Sequence, residues 1–190
     1  MPEKLFLLVE VVELTSIDIF ANSVAQVRAI IQQNAISTLG SSPDKFNKEA
    51  GILLLELVIF SLHLADRIAF NAVGPEKRTR FMDALDSSVS SNLAESLLTK
   101  EASSKAKQLL QDHFLALYEE RQAVYAPLEL PSGEVTAWEG TLFWEAAKGV
   151  ASAYFPDDAV SMTLFLSPSF SQCMNGVEDL SVRLAGLPDF

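Results

Sequence analysis

Glu49, Glu56 and His63 stand at heptad spacing in residues 45–73, a stretch read as one helix, and Arg67 and Asn71 continue their line. Residues seven apart drift by only about 20° around a helix, so these side chains form a narrow polar lane along an otherwise apolar element, interrupted by Phe60. Carboxylate and imidazole groups projected from facing helices are the donors from which helical bundles build metal sites. The donors that would complete such a set are Asp112 and His113, on the predicted helix 101–125. Against this reading, the Glu-x-x-His pair of di-iron bundles is absent. Glu56 and His63 are also two turns apart, about 10 Å along the axis. The lane is therefore expected to be structural, facing solvent or a partner such as Arg28 across a helix interface, with Arg67 as a further available cation and no metal bound. A carboxylate among Leu53, Leu54, Leu55, Leu57, Val58 and Ile59 must reach water or a cation, because an isolated buried charge is very costly.

A second candidate is the basic turn Lys77, Arg78 and Arg80, which follows Gly74-Pro75 at the start of a helix. Cations there oppose the helix dipole, and with exposed amide N–H groups they could hold a phosphate or carboxylate. Its alternative is a solvated turn balanced by Glu76 and Asp83. A third candidate is aromatic: Trp138, Phe143 and Trp144, with Phe155 and Phe165 beyond, could line an apolar pocket but at helical spacing are expected to be core. Cys173 is the only cysteine and is expected to be a small core residue rather than a nucleophile.

Other catalytic signatures are missing. No two glycines are separated by a single residue, and there is no Walker loop and no Gly-x-Ser-x-Gly elbow. Any triad would have to use His63 or His113, the only histidines, and nothing in the sequence marks either as a base. No catalytic residue and no cofactor is predicted.

Composition narrows the classes further. The chain has 190 residues, 49% hydrophobic and 21% charged, which is the balance of a folded chain. Fourteen Lys and Arg against 25 Asp and Glu give a net charge of −11. That excess argues against nucleic acid, whose binders need clustered cations, and against anionic membrane surfaces. The greasiest run, residues 51–60, contains Glu56 and is too short to span a bilayer. Glu10 and Glu13 interrupt the apolar start, so a signal peptide is not expected and the cytoplasm is the expected location.

The elements that must position these residues read as helices almost throughout. Residues 5–14 suit a helix or a Val-rich strand. A helix is predicted from a Thr15/Asp18 capping box to a stop at Gly40, with Val24, Val27 and Ile31 on its inner stripe. The next runs are 45–73, 75–97 and 101–125, the last with Ala106, Leu110, His113, Leu117 and Val124 on its inner face. A loop covers 127–134, and a Thr136/Glu139 capping box opens a helix ending near Phe155. Residues 160–166 alternate as a strand would. A last helix spans about 170–184. The expected fold is all-α: one domain, a bundle of five to seven helices with short connections, or the same bundle plus a two-stranded ribbon from residues 7–14 and 160–166. The expected function is a non-catalytic interaction or accessory protein that binds a protein partner or itself as a homodimer. Residues 5–14 and the small-residue run 147–153 are the expected contact surfaces. The alternatives are a ligand- or metal-binding bundle using the lane, or an anion binder at Lys77–Arg80.

Overall fold

The computed structural model describes residues 2–33, 43–98, 101–131 and 139–187. They form six α-helices: α1 Pro2–Gln32, α2 Pro43–Leu97, α3 Ser104–Tyr125, α4 Leu142–Tyr154, α5 Ala159–Gln172 and α6 Leu180–Ala185. Short 3-10 turns occupy Pro156–Asp158 and Cys173–Gly176. There is no strand among the described residues. The fold is an all-α bundle.

The first arm of α2 is its axle. Every residue from 53 to 65 is buried, which is the behaviour of a helix enclosed on all sides. α1 lies along it, burying Val12, Ile19, Val27 and Ile30, and α4, α5 and α6 complete the shell. At Gly74 the backbone leaves helical geometry with φ 77°, a value that glycine adopts without a Cβ penalty. Pro75 begins the second arm, where its missing N–H forfeits no bond. The predicted helices 45–73 and 75–97 are thus the two arms of one bent element.

Several expectations about local structure need correction. Of the two readings open for residues 5–14, the helix holds and the strand does not: α1 runs through them without a break at Thr15. Thr15 does not cap a helix start: it is buried in mid-helix, and its hydroxyl donates to the Val11 carbonyl at 2.7 Å. A threonine can satisfy itself one turn back, so a capping pattern inside a continuous apolar stripe need not mark a helix start. The proposed stop, Gly40, lies outside the described residues.

Residues 160–166 belong to α5, so the alternative ribbon does not form. Met162, Leu166 and Phe170 repeat at helical spacing and are buried, while Val160 and Leu164 are exposed. Thr163 and Ser167 donate to the carbonyls four residues back, which makes their polar positions compatible with helix. Glu101 lies before α3, which Ser103 caps through the Ala106 amide. α4 opens at Thr141, whose hydroxyl accepts from the Trp144 amide; Thr136 lies outside the described residues.

The predicted last helix is broken by the turn at Cys173–Gly176. Gly176 sits so close to α1 that a Cβ there would come within 3.3 Å of the Asn22 Cβ. The small-residue run is partly internal as well: Ala147, Val150 and Ala151 are buried in the α4–α5 packing, leaving Lys148, Gly149, Ser152 and Ala153 exposed.

Candidate functional site

The polar lane faces α3. Glu56 has no exposed surface, and Arg121 grips its carboxylate in a fork, Nη2 to Oε1 at 2.8 Å and Nε to Oε2 at 3.0 Å. The Tyr154 hydroxyl donates to the same Oε1 at 3.2 Å. Arg121 also meets Glu120, and its pKa is raised first of all by its hydrogen bonds to Glu56. The cations expected for Glu56 were Arg28 and Arg67. Arg28 is exposed on α1, and Arg67 has other partners.

Two turns beyond Glu56, His63 Nε2 accepts from Arg67 Nε at 2.8 Å. That bond makes Nε2 an acceptor, so the proton is on Nδ1, which donates to Gln122 Oε1. Burial lowers the His63 pKa, the Gln122 bond works against that, and the Arg67 charge lowers it further. Arg67 Nη2 then donates to the carbonyls of Tyr125, Ala126 and Leu128. A guanidinium here caps the C-terminus of α3, where unsatisfied carbonyls and the negative end of the dipole favour a cation. Glu49 is half-buried at the far end of the lane.

The inner face of α3 is therefore Phe114, Tyr118, Arg121, Gln122 and Tyr125. Only Phe114 and Tyr125 are buried on this helix, and His113 and Val124, expected inside, are exposed. Following apolar residues alone moved the face by one position. The signal that could have found it is the i, i+4, i+7, i+11 spacing of Phe114, Tyr118, Arg121 and Tyr125, in which the sole arginine of the helix stands opposite the lane.

Asp112 and His113 lie on the exposed side of α3, Asp112 accepting from Gln108 at 2.8 Å. The structure thus brings Glu56 and His63 to the α2–α3 interface and leaves the other two donors of the metal alternative outside it. No group of three or more His, Cys, Asp or Glu suited to a metal occurs among the described residues.

The basic turn gives its central arginine to a carboxylate within the chain. Arg78 folds back onto Asp66, with Nε to Oδ1 at 2.5 Å and Nη2 to Oδ2 at 2.6 Å, while Lys77 is half-buried and Arg80 exposed. This pair lies at the elbow of α2, where the two arms and the end of α3 leave an open cleft. One part, of about 780 Å³, is lined by His63, Asp66, Arg67, Phe70, Arg78 and Leu130 among others. An adjoining part of about 510 Å³ reaches Asp86, Tyr118 and Gln122. Burial, followed by the charges of Asp66 and Asp83, pushes Asp86 up to about 7, and its Oδ1 has no hydrogen-bond partner among the described residues. Burial likewise raises Tyr118.

Of the remaining candidates, Phe143, Phe155 and Cys173 are core. Phe60 meets Tyr125, Phe143 and Phe170 edge-on, with ring centroids 5.4, 6.0 and 5.1 Å apart. Phe155 is buried, Trp144 and Phe165 are half-buried, and Trp138 lies outside the described residues. Cys173 is buried, and burial pushes its thiol up to about 12.

A different surface stands out on α1. Its outer side exposes Leu7 by 36%, Leu14 by 44% and Ile17 by 57%, with Ala21 also exposed and Val24 half-buried. These positions follow the a/d spacing of a helix that packs against another helix. No described helix is long and apolar enough to cross a membrane.

No family model matches the chain, and no match to it is found among curated proteins or solved structures.

Proposed function

We propose that this protein is a non-catalytic interaction protein that docks a protein partner along the outer face of α1. The observation that carries this reading is the exposed apolar stripe Leu7, Leu14, Ile17 and Ala21 on a helix whose opposite side is seated in the core. Apolar side chains exposed in a row along one face of a helix mark an interaction site. The chemistry-bearing groups support the same reading by how they are used. Both ring nitrogens of His63 are engaged, Glu56 is held by Arg121 and Tyr154, and the Cys173 thiol is sealed in the core.

A photo-crosslinking residue at Ile17, in cells that make the protein, is expected to give a protein adduct. The same residue at Glu119, on the exposed side of α3, is expected to give none. Absence of an adduct from position 17 would overturn the reading.

A second reading rests on the elbow cleft, which has the size of a small-molecule pocket and mixes Phe70 and Leu130 with charged groups. A ligand held there would touch Arg78 and Asp66, and Arg78→Ala would abolish its binding.

A further inference from the structure

We infer that the partner on α1 is a second copy of this chain, laid antiparallel, with Glu10 of each copy against Arg28 of the other. This rests on α1 being the docking surface and adds what occupies it. Leu7, Glu10, Leu14, Ile17, Ala21, Val24 and Arg28 alternate in steps of three and four along one side of the helix. Such a row forms the seam of a two-helix contact, in which each apolar knob enters a hole on the facing helix.

The row is complementary to itself in one orientation. Two antiparallel copies centred on residue 19 place each residue opposite the one equally far beyond the centre. Leu14 then meets Val24, the exposed Ile17 meets the small Ala21, and Glu10 meets Arg28 at both ends. A parallel, in-register pair would instead set Glu10 on Glu10 and Arg28 on Arg28, and like charges facing each other across a contact are repulsive.

The charges are available for this. Glu10 and Arg28 are exposed, about 27 Å apart along the helix at a rise of about 1.5 Å per residue, and neither is in an ion pair within the chain among the described residues. The one carboxylate near the centre, Asp18, is drawn aside by Arg183 of α6 at 2.7 Å, which keeps it off the seam. The middle of the row is apolar, and its two ends carry opposite charges. That is the pattern a two-fold axis requires, because each surface must match itself reversed.

The test uses two variants of the full chain, Ile17→Cys and Ala21→Cys, each at an exposed position where the fold is not at stake. Cys173 is buried and does not compete. Under oxidising conditions a disulfide-linked dimer is expected from the mixture of the two variants and from neither alone. Cross-linking of each variant with itself would mean a parallel contact and would overturn the proposal. A 20.8 kDa monomer by light scattering at micromolar concentration, with no cross-link in the mixture, would overturn it too. In that event a photo-adduct from position 17 with another protein would leave the α1 docking surface standing. Glu10→Arg and Arg28→Glu should each weaken self-association, on the order of tenfold because each reverses two symmetric pairs. The double variant Glu10→Arg/Arg28→Glu should restore it, and failure of that rescue would reject the charge pairing.

Discussion

The Glu56 carboxylate has no water to turn to, and its partners are the Arg121 guanidinium and the Tyr154 hydroxyl. Glu56→Gln leaves a mostly buried cation facing an amide that cannot match its fork, and removing one member of such a pair costs more than the pair itself contributes. The variant should lose about 2–3 kcal/mol in urea unfolding, since the 14% exposure of Arg121 allows it some rehydration. A loss below about 0.5 kcal/mol, the range of exposed pairs, would show that the fork contributes nothing.

His63 and Asp86 give opposite pH dependences. The folded pKa of His63 lies below its ordinary 6.5, so the unfolded chain takes up that proton first. Stability from neutral His63 is complete above the ordinary value and is lost as pH falls below it. Asp86, raised from 3.8 to about 7, behaves the other way: the folded chain holds its proton, and that contribution is lost as pH rises through 7. Asp86→Asn should therefore stabilise the protein by about 1–3 kcal/mol near pH 8. In that background, urea midpoints should fall on acidification below pH 6.5, and adding His63→Gln should flatten the slope. A slope that survives His63→Gln would place the titration elsewhere.

Among the elements, α3 is held differently from the others. α1, α4 and α5 bury apolar rows, whereas α3 fully buries only Phe114 and Tyr125, packs Leu117 and Tyr118 at the core's edge, and is further fastened by the Arg121, Gln122 and Arg67 contacts. Elements with few buried apolar contacts open at lower free energy than the global unfolding. Hydrogen exchange should find α3 amides less protected than those of residues 53–65. Arg67→Met should further expose residues 121–128 while leaving α1 unchanged. Equal protection throughout the molecule would refute a separately fastened α3. The elbow supplies a second test at this scale. At φ 77° a side chain is strained whatever the surrounding space, so Gly74→Ala should lower stability by about 1–2 kcal/mol in thermal unfolding even though no atom lies within 4 Å of the new Cβ.

Over the whole molecule the dominant physical fact is charge. A net charge of −11 sets up a field that repels polyanions, and the one basic cluster in the sequence gives its central arginine to Asp66. The protein should show no affinity for single- or double-stranded DNA in fluorescence anisotropy even at low salt. Binding that weakens steeply as salt rises would reveal a cationic surface that the net charge conceals.

The helical nature of the chain, the buried axle around Glu56 and the core role of Cys173 were legible in the residues themselves. Each follows from local periodicity or from the cost of burying a charge, and both act along the chain. The sequence also showed that Glu56 needed either water or a cation. Which one it received was decided by the docking of α3, since Arg28, Arg67 and Arg121 are equally good partners on paper and only the packing brings Arg121 within 3 Å. The same holds for the lane. Its spacing placed Glu49, Glu56, His63 and Arg67 on one face, but whether that face met water, a metal or another helix depended on the bend at Gly74 and the path of the chain beyond it. Residues 160–166 show the converse limit. Over a single short segment a strand-like alternation and a helix with hydroxyls bonded one turn back look alike, and the packing of α5 against α4 and the core decided between them. Long-range contacts select among local solutions that are close in energy, and a pattern read within a few residues carries no information about them.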